Sequence, residues 1–107
     1  MTNRDKTIAG LRACGWVESA RKHSAKYAVF ENGAEMMLVG RSGALRKARG
    51  GRISSSFSMT GSRWHKALQT VGERAGQYSS VEQAQADLRF LLGEPAAAGA
   101  AALKGGA

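Results

Sequence analysis

The sequence predicts an α+β domain: a small antiparallel sheet of about three or four strands packed against two or three helices. Three observations predict it. Amphipathic stretches with a helical period lie towards both ends of the chain, while the middle alternates with a period of two. Between two apolar runs stands Asn32-Gly33, the preferred pair for a two-residue hairpin turn. The order helix, strand, hairpin, further strand, helix then places the helices on one face of the sheet.

Taken in order, Thr2 or Asn3 caps a first helix that runs to about Cys14, with Asp5 favourably placed in its first turn. Ile8, Leu11 and Cys14 form its apolar stripe, and Gly15 supplies the stop. Trp16-Val17 opens a short extended segment that ends at Arg21-Lys22. The hairpin spans 26–39. Centred on Asn32-Gly33, it sets Val29 opposite Met36 and Tyr27 opposite Leu38 on a core face, and leaves Phe30 beside Glu35 on the wetter face. Ile53, Ser55 and Phe57 alternate with serines, which reads as an edge strand. Ser62 caps a second helix over 63–71 with Trp64, Leu68 and Val71 as its stripe and Gly72 as its close. Ser79 with Glu82 makes a capping box for a third helix striped by Val81, Ala84, Leu88 and Leu91 and ended by Gly93 and Pro95.

The length of 107 residues supports one domain, over 1–93, with a disordered Ala/Gly-rich tail over 94–107 that has too little apolar surface to bury. A lone cysteine, Cys14, excludes an intramolecular disulfide and a cysteine-based zinc site, and reads as a small core residue. No stretch approaches a membrane span, and the polar start Met1-Thr2-Asn3-Arg4-Asp5 is no signal peptide, so the expectation is a cytoplasmic protein without a membrane partner.

The charge is uneven. Sixteen Lys and Arg against eight Asp and Glu give a net charge of +8, yet no acid occurs between Met36 and Gly72. Arg41, Arg46, Lys47, Arg49, Arg52, Arg63 and Lys66 all lie in that span, and Gly43, Gly50 and Gly51 make the 41–52 run read as a flexible basic loop. Cations displace counterions from phosphates and backbone amides donate to phosphate oxygens, so such a loop suits nucleic acid. Gly40-Arg-Ser-Gly43 is not followed by Gly-Lys-Ser/Thr, which excludes a nucleotide-binding loop; no cofactor is implied. Ser54, Ser55, Ser56 and Ser58 have no adjacent base and carry no nucleophilic chemistry. Two histidines without matching carboxylates make no metal site.

His23 has two readings: a group that moves protons near neutral pH, or a residue that simply begins a strand. Arg21, Lys22 and Lys26 beside it suit a phosphate. His65 reads as part of a solvated helix face, or as a phosphate contact beside Arg63 and Lys66 at a helix N-terminus. Among the aromatics Phe30 is the first candidate for base stacking, because the hairpin parity turns it from the core; Tyr27 and Trp16 read as core.

Leu11-Arg-Ala-Cys-Gly-Trp-Val17, a basic segment with a histidine, an aromatic strand and a hairpin together resemble the HicA toxins of toxin–antitoxin pairs. The resemblance covers about residues 5–72, including Arg63–Gly72 as the closing helix. It implies a double-stranded-RNA-binding-like fold and cleavage of mRNA with His23 as the catalytic residue. The chain departs from the pattern in reading Arg21-Lys-His-Ser24 where Gly-Ser-His is usual, and in the twenty or so residues before the closing helix. Three functions follow as expectations: a small RNA- or DNA-binding protein of phage or plasmid accessory type, a HicA-like ribonuclease, or an interaction module for an acidic partner protein.

Overall fold

A computed structural model describes residues 1–94; the expected tail, from Pro95 onwards, lies outside the described residues. The architecture is α+β, as the sequence predicts: α1 (Asn3–Ala13), β1 (Val17–Glu18), β2 (Tyr27–Asn32), β3 (Glu35–Gly40), β4 (Leu45–Arg49), β5 (Arg52–Ser58), α2 (Arg63–Glu73), a single 3-10 turn (Ala75–Gln77) and α3 (Val81–Leu91). The strands form an antiparallel meander in sequence order, with β1 and β5 at the edges. No helix among the described residues is long and apolar enough to cross a membrane.

The helix ends follow local chemistry. Thr2 and Asp5 form a reciprocal capping box at α1. At its other end Trp16 N–H donates to the Leu11 carbonyl and Gly15 N–H to Arg12, around Gly15 at φ 93. The same pair of bonds closes α3 at Gly93, which has φ 80: Glu94 N–H donates to Arg89 and Gly93 N–H to Phe90. The cap of α3 is Ser80 rather than Ser79, because Ser80 Oγ accepts from Gln83 N–H while the Gln83 side chain accepts from Ser79 N–H.

The hairpin forms with a register two residues away from the expected one. Gly33 (φ 62) and Ala34 occupy its turn, so Val29 pairs with Leu38 and Phe30 with Met37, not Glu35. A glycine at the first central position followed by a negative φ has the φ signs of a type II′ turn. With Met37 as its neighbour, Phe30 becomes the apolar side. The helices therefore cover Phe30, Met37, Val39 and Leu45 together with Leu11, Leu68 and Val71, the reverse of the expected facing. Val29, Met36, Leu38 and Ala48 form a second apolar cluster on the opposite face, flanked by Tyr27 and Ile53. Met36-Met-Leu-Val39 is apolar on both sides, so alternation alone could not choose a face.

The basic segment expected to be a loop supplies a fifth strand, β4. Leu45 is buried under the helices and Ala48 in the second cluster, which anchors the strand on both faces. Gly50 (φ 56) and Gly51 (φ 71) supply the two left-handed residues of a tight turn into β5. A register shift lies between Lys47 and Arg49.

Helix α2 crosses α1 at very close range. A Cβ added to Gly72 would stand 1.9 Å from the Lys6 carbonyl oxygen, and one added to Gly10 would stand 2.2 Å from that of Leu68. Gly72 thus lies inside α2, which runs on to Glu73, instead of closing it. Its lack of a side chain is needed for helix contact, not for a cap.

Candidate nucleic-acid interface

The acid-free stretch does not unfold into one cationic surface; strand geometry distributes it. Arg46 lies on the face opposite the helices, where Nε and Nη2 donate to Ser56 Oγ and O, both at 2.8 Å. Lys47 and Arg49 project from the other side of β4: Lys47 reaches Glu35 at 3.4 Å, and the Arg49 guanidinium stands 4.9 Å from the centre of the Phe57 ring. Arg52 is exposed just past the Gly50-Gly51 turn. Arg63 Nη2 donates to the Leu92 carbonyl at 2.7 Å and so ties α2 to the end of α3. Lys66 is exposed one residue after His65.

His65 corrects the expectation of a solvated helix face. It is 5% exposed. Its Nδ1 accepts from Gly61 N–H at 3.0 Å, and Nε2 lies 3.2 Å from Thr7 Oγ1. Burial pushes its pKa below the usual histidine value, with the Gly43 backbone partly opposing. It is a junction between α1 and α2, with its ring nitrogens turned to Gly61 and Thr7. The missed signal lies in α1: Thr7 and Gly10, small residues three apart, extend the Leu11–Cys14 stripe towards α2.

The 19–26 segment behaves differently. Buried Ser19 bonds to β2 through its N–H and accepts with Oγ from the backbone N–H groups of Arg21 (3.2 Å) and Lys22 (2.9 Å). Further on, Ser24 Oγ accepts from Lys26 N–H at 3.2 Å. Two serine hydroxyls thus shape a turn whose exposed side chains are Arg21, Lys22, His23 and Lys26. Arg21 is committed to Glu31 at 2.8 Å, and the Ser19 hydroxyl and Arg21 together hold the Glu31 carboxyl below its usual range.

Two clefts meet in this region. One, of about 110 Å³, is lined by Lys22, His23, Ser24, Glu18 and Tyr27. The other, of about 570 Å³, is lined by Lys26, Tyr27, Gly40, Arg41 and Ala44. Tyr27 borders both. Cross-strand pairing of Tyr27 with Gly40 brings Arg41, fourteen residues on from Tyr27, to the mouth of the 19–26 turn. Lys22, Lys26 and Arg41 are exposed and make no ion pair among the described residues.

Of the residues singled out from the sequence, Lys22, His23, Lys26 and Arg41 therefore gather around one aromatic ring. Arg46, Lys47, Arg49 and Arg52 lie along β4 and the turn after it, and Arg63 and Lys66 on α2. Phe30 is 0% exposed and Trp16 is buried, which removes both from any stacking surface. Among the described residues, no group of three His, Cys, Asp or Glu side chains is placed to hold a metal ion. Comparison with protein-family models, curated proteins and solved structures finds no match.

Proposed function

We propose that the protein binds nucleic acid through the surface around Tyr27, with Lys22, Lys26 and Arg41 on phosphates. The observation that carries this reading is the convergence of three unpaired cations on two adjoining clefts. Arg21, Lys47, Arg63 and Arg74 are spent on the protein's own acids and carbonyls, and Arg52, Lys66 and Arg89, which are exposed without an ion pair among the described residues, line neither cleft. Leaving three together without a carboxylate partner favours a polyanionic ligand. An RNA or DNA partner is consistent with a cytoplasmic protein.

Binding of single-stranded RNA, double-stranded RNA and duplex DNA, measured across a salt series, tests the reading. Substituting Lys22→Ser, Lys26→Ser and Arg41→Ser together should lower the slope of log affinity against log salt by about 2–3, at about 0.7–0.9 per lost phosphate contact. Wild-type protein that binds none of the three at about 100 mM salt overturns the reading in favour of an acidic protein partner. An unchanged slope overturns the assignment of these three residues.

One observation favours a second reading, cleavage of RNA as the HicA resemblance implies. His23 is exposed, follows Lys22 directly and lines the cleft that adjoins Arg41. There it would take the proton from a 2′-hydroxyl whose oxygen attacks the neighbouring phosphorus and expels the 5′-oxygen, which takes a proton from water and leaves a 2′,3′-cyclic phosphate, with the cations stabilising the charge that builds on phosphate. RNA cut by the wild type and left intact by His23→Ala supports this. Equal cleavage by both, or by neither, rejects it.

A further inference from the structure

The geometry points to Tyr27 as a stacking platform for an unpaired nucleobase, making the ligand a single strand or an unpaired segment. This inference rests on the nucleic-acid reading above and deepens it.

The argument starts with Gly40, the cross-strand partner of Tyr27. Gly40 does not have a positive φ, so its backbone does not demand glycine. Nor does crowding exclude a side chain: a Cβ at 40 would meet Ala44 Cβ at 3.5 Å and Tyr27 Cε1 at 3.8 Å, both ordinary contacts. Gly40 is the last residue of β3, where it opens the turn to β4, and a glycine at a strand position can mark the close approach of a ligand. A side chain here would lie along the Tyr27 ring, and its absence leaves the ring open to the larger cleft.

The neighbours keep the same opening. Ala25 and Ala44, the other apolar residues of the cleft, are both small, so the floor is a half-buried ring among residues with little or no side chain. Lys26 and Arg41 border this floor. A volume of about 570 Å³ is within the range of small-ligand pockets. A flat apolar floor with cations beside it matches one nucleotide, whose base stacks while its flanking phosphates meet the ammonium and guanidinium groups. Bases inside a duplex are already stacked on each other and cannot present a face to the ring. The cleft therefore selects unpaired nucleotides, whereas the cations alone would accept any phosphate backbone.

The test compares three variants by fluorescence anisotropy on labelled single-stranded RNA and on duplex DNA at one salt concentration. Tyr27→Ala should weaken single-strand binding by about 5- to 150-fold, the range for loss of one stacked base, and Tyr27→Phe should keep it. Gly40→Val, which suits a strand and sets a side chain against the Tyr27 ring, should weaken single-strand binding comparably, and unchanged duplex affinity then separates occlusion from misfolding. Duplex affinity should stay within about twofold in all three, since phosphate contacts remain. If Tyr27→Ala and Gly40→Val bind single strands as the wild type does, the stacking site is wrong while the cationic surface stands. If the wild type binds no nucleic acid, the functional reading itself fails. Equal losses on single strand and duplex would also overturn the stacking site.

Discussion

The imidazole Nε2 of His65 stands 3.2 Å from the hydroxyl of Thr7, joining α2 to α1 across fifty-eight positions of sequence. Because Nδ1 accepts from Gly61 N–H, the neutral ring carries its proton on Nε2 and donates to Thr7, whose own hydroxyl donates to the Asn3 carbonyl at 2.9 Å. Protonation would set a second ring N–H against the Gly61 N–H. The buried ring thus fits one charge state and one tautomer.

A pH dependence follows from that fit. The folded pKa of His65 is lowered from 6.5 by burial, so below 6.5 the unfolded chain binds more protons at this site than the folded one. Stability should be level above pH 6.5 and fall as pH drops through the folded pKa. The lowered carboxyls of Asp5 and Glu31 add their own losses only below their usual values of 3.8 and 4.5. Urea midpoints taken between pH 7 and about 5 should decline for the wild type and flatten for His65→Gln, whatever the variant's starting stability. A parallel decline in both proteins would remove His65 as the cause.

Helix contact at Gly72 gives a prediction of opposite sign to simple propensity. Alanine is a better helix former than glycine by about 1 kcal/mol. Its methyl carbon would nevertheless overlap the Lys6 carbonyl oxygen, at 1.9 Å, and forcing the helices apart costs about 3 kcal/mol at the upper end of ordinary overpacking. Gly72→Ala should lose about 2 kcal/mol net. Gly76→Ala, where nothing lies within 4 Å, is the control and should change little. Denaturant titration of the two variants decides it: a Gly72→Ala protein as stable as Gly76→Ala contradicts the close crossing.

Asp87 supplies a third prediction. It is 1% exposed and accepts from Tyr78 Oη at 2.5 Å and from Arg74 Nη1 at 3.0 Å. Burial, followed by the bond to Asp87, raises the Tyr78 pKa, so the phenol stays a donor at any ordinary pH. Removing it by Tyr78→Phe should cost about 1.5–3 kcal/mol, as for other hydrogen bonds to a charged group. Arg74, with a side chain 44% exposed, should cost less when changed to Gln because water can replace it. Thermal melts giving the reverse order would show that the guanidinium, not the phenol, holds Asp87.

Much of the fold was legible because it rests on short-range chemistry. Thr2 with Asp5, Gly15, Ser62 and Gly93 mark helix ends through bonds made within a few residues of themselves. The hairpin was legible as an event but not in its register. Gly33 works equally well as the second or the first central residue of a tight turn, and the choice fell to the pairing that sets Phe30 against Met37. Strand β4 was hidden because its two apolar anchors, Leu45 and Ala48, are three apart and face opposite sides, so no alternation betrays them.

The candidate site divides the same way. Lys22, His23, Lys26 and Arg41 could each be named from the sequence as solvent-facing basic or titratable groups. Their meeting at Tyr27 depends on the Tyr27–Gly40 pairing, a contact between strands that composition cannot reveal. The sequence by itself determined the α+β class, the helix ends and the local excess of positive charge, since each is set by residue type and near neighbours. Only the tertiary structure decided which face of the sheet the helices cover, that His65 is a buried tie, and which cations gather at one ring. Those outcomes depend on non-local pairing and on the burial that follows from it.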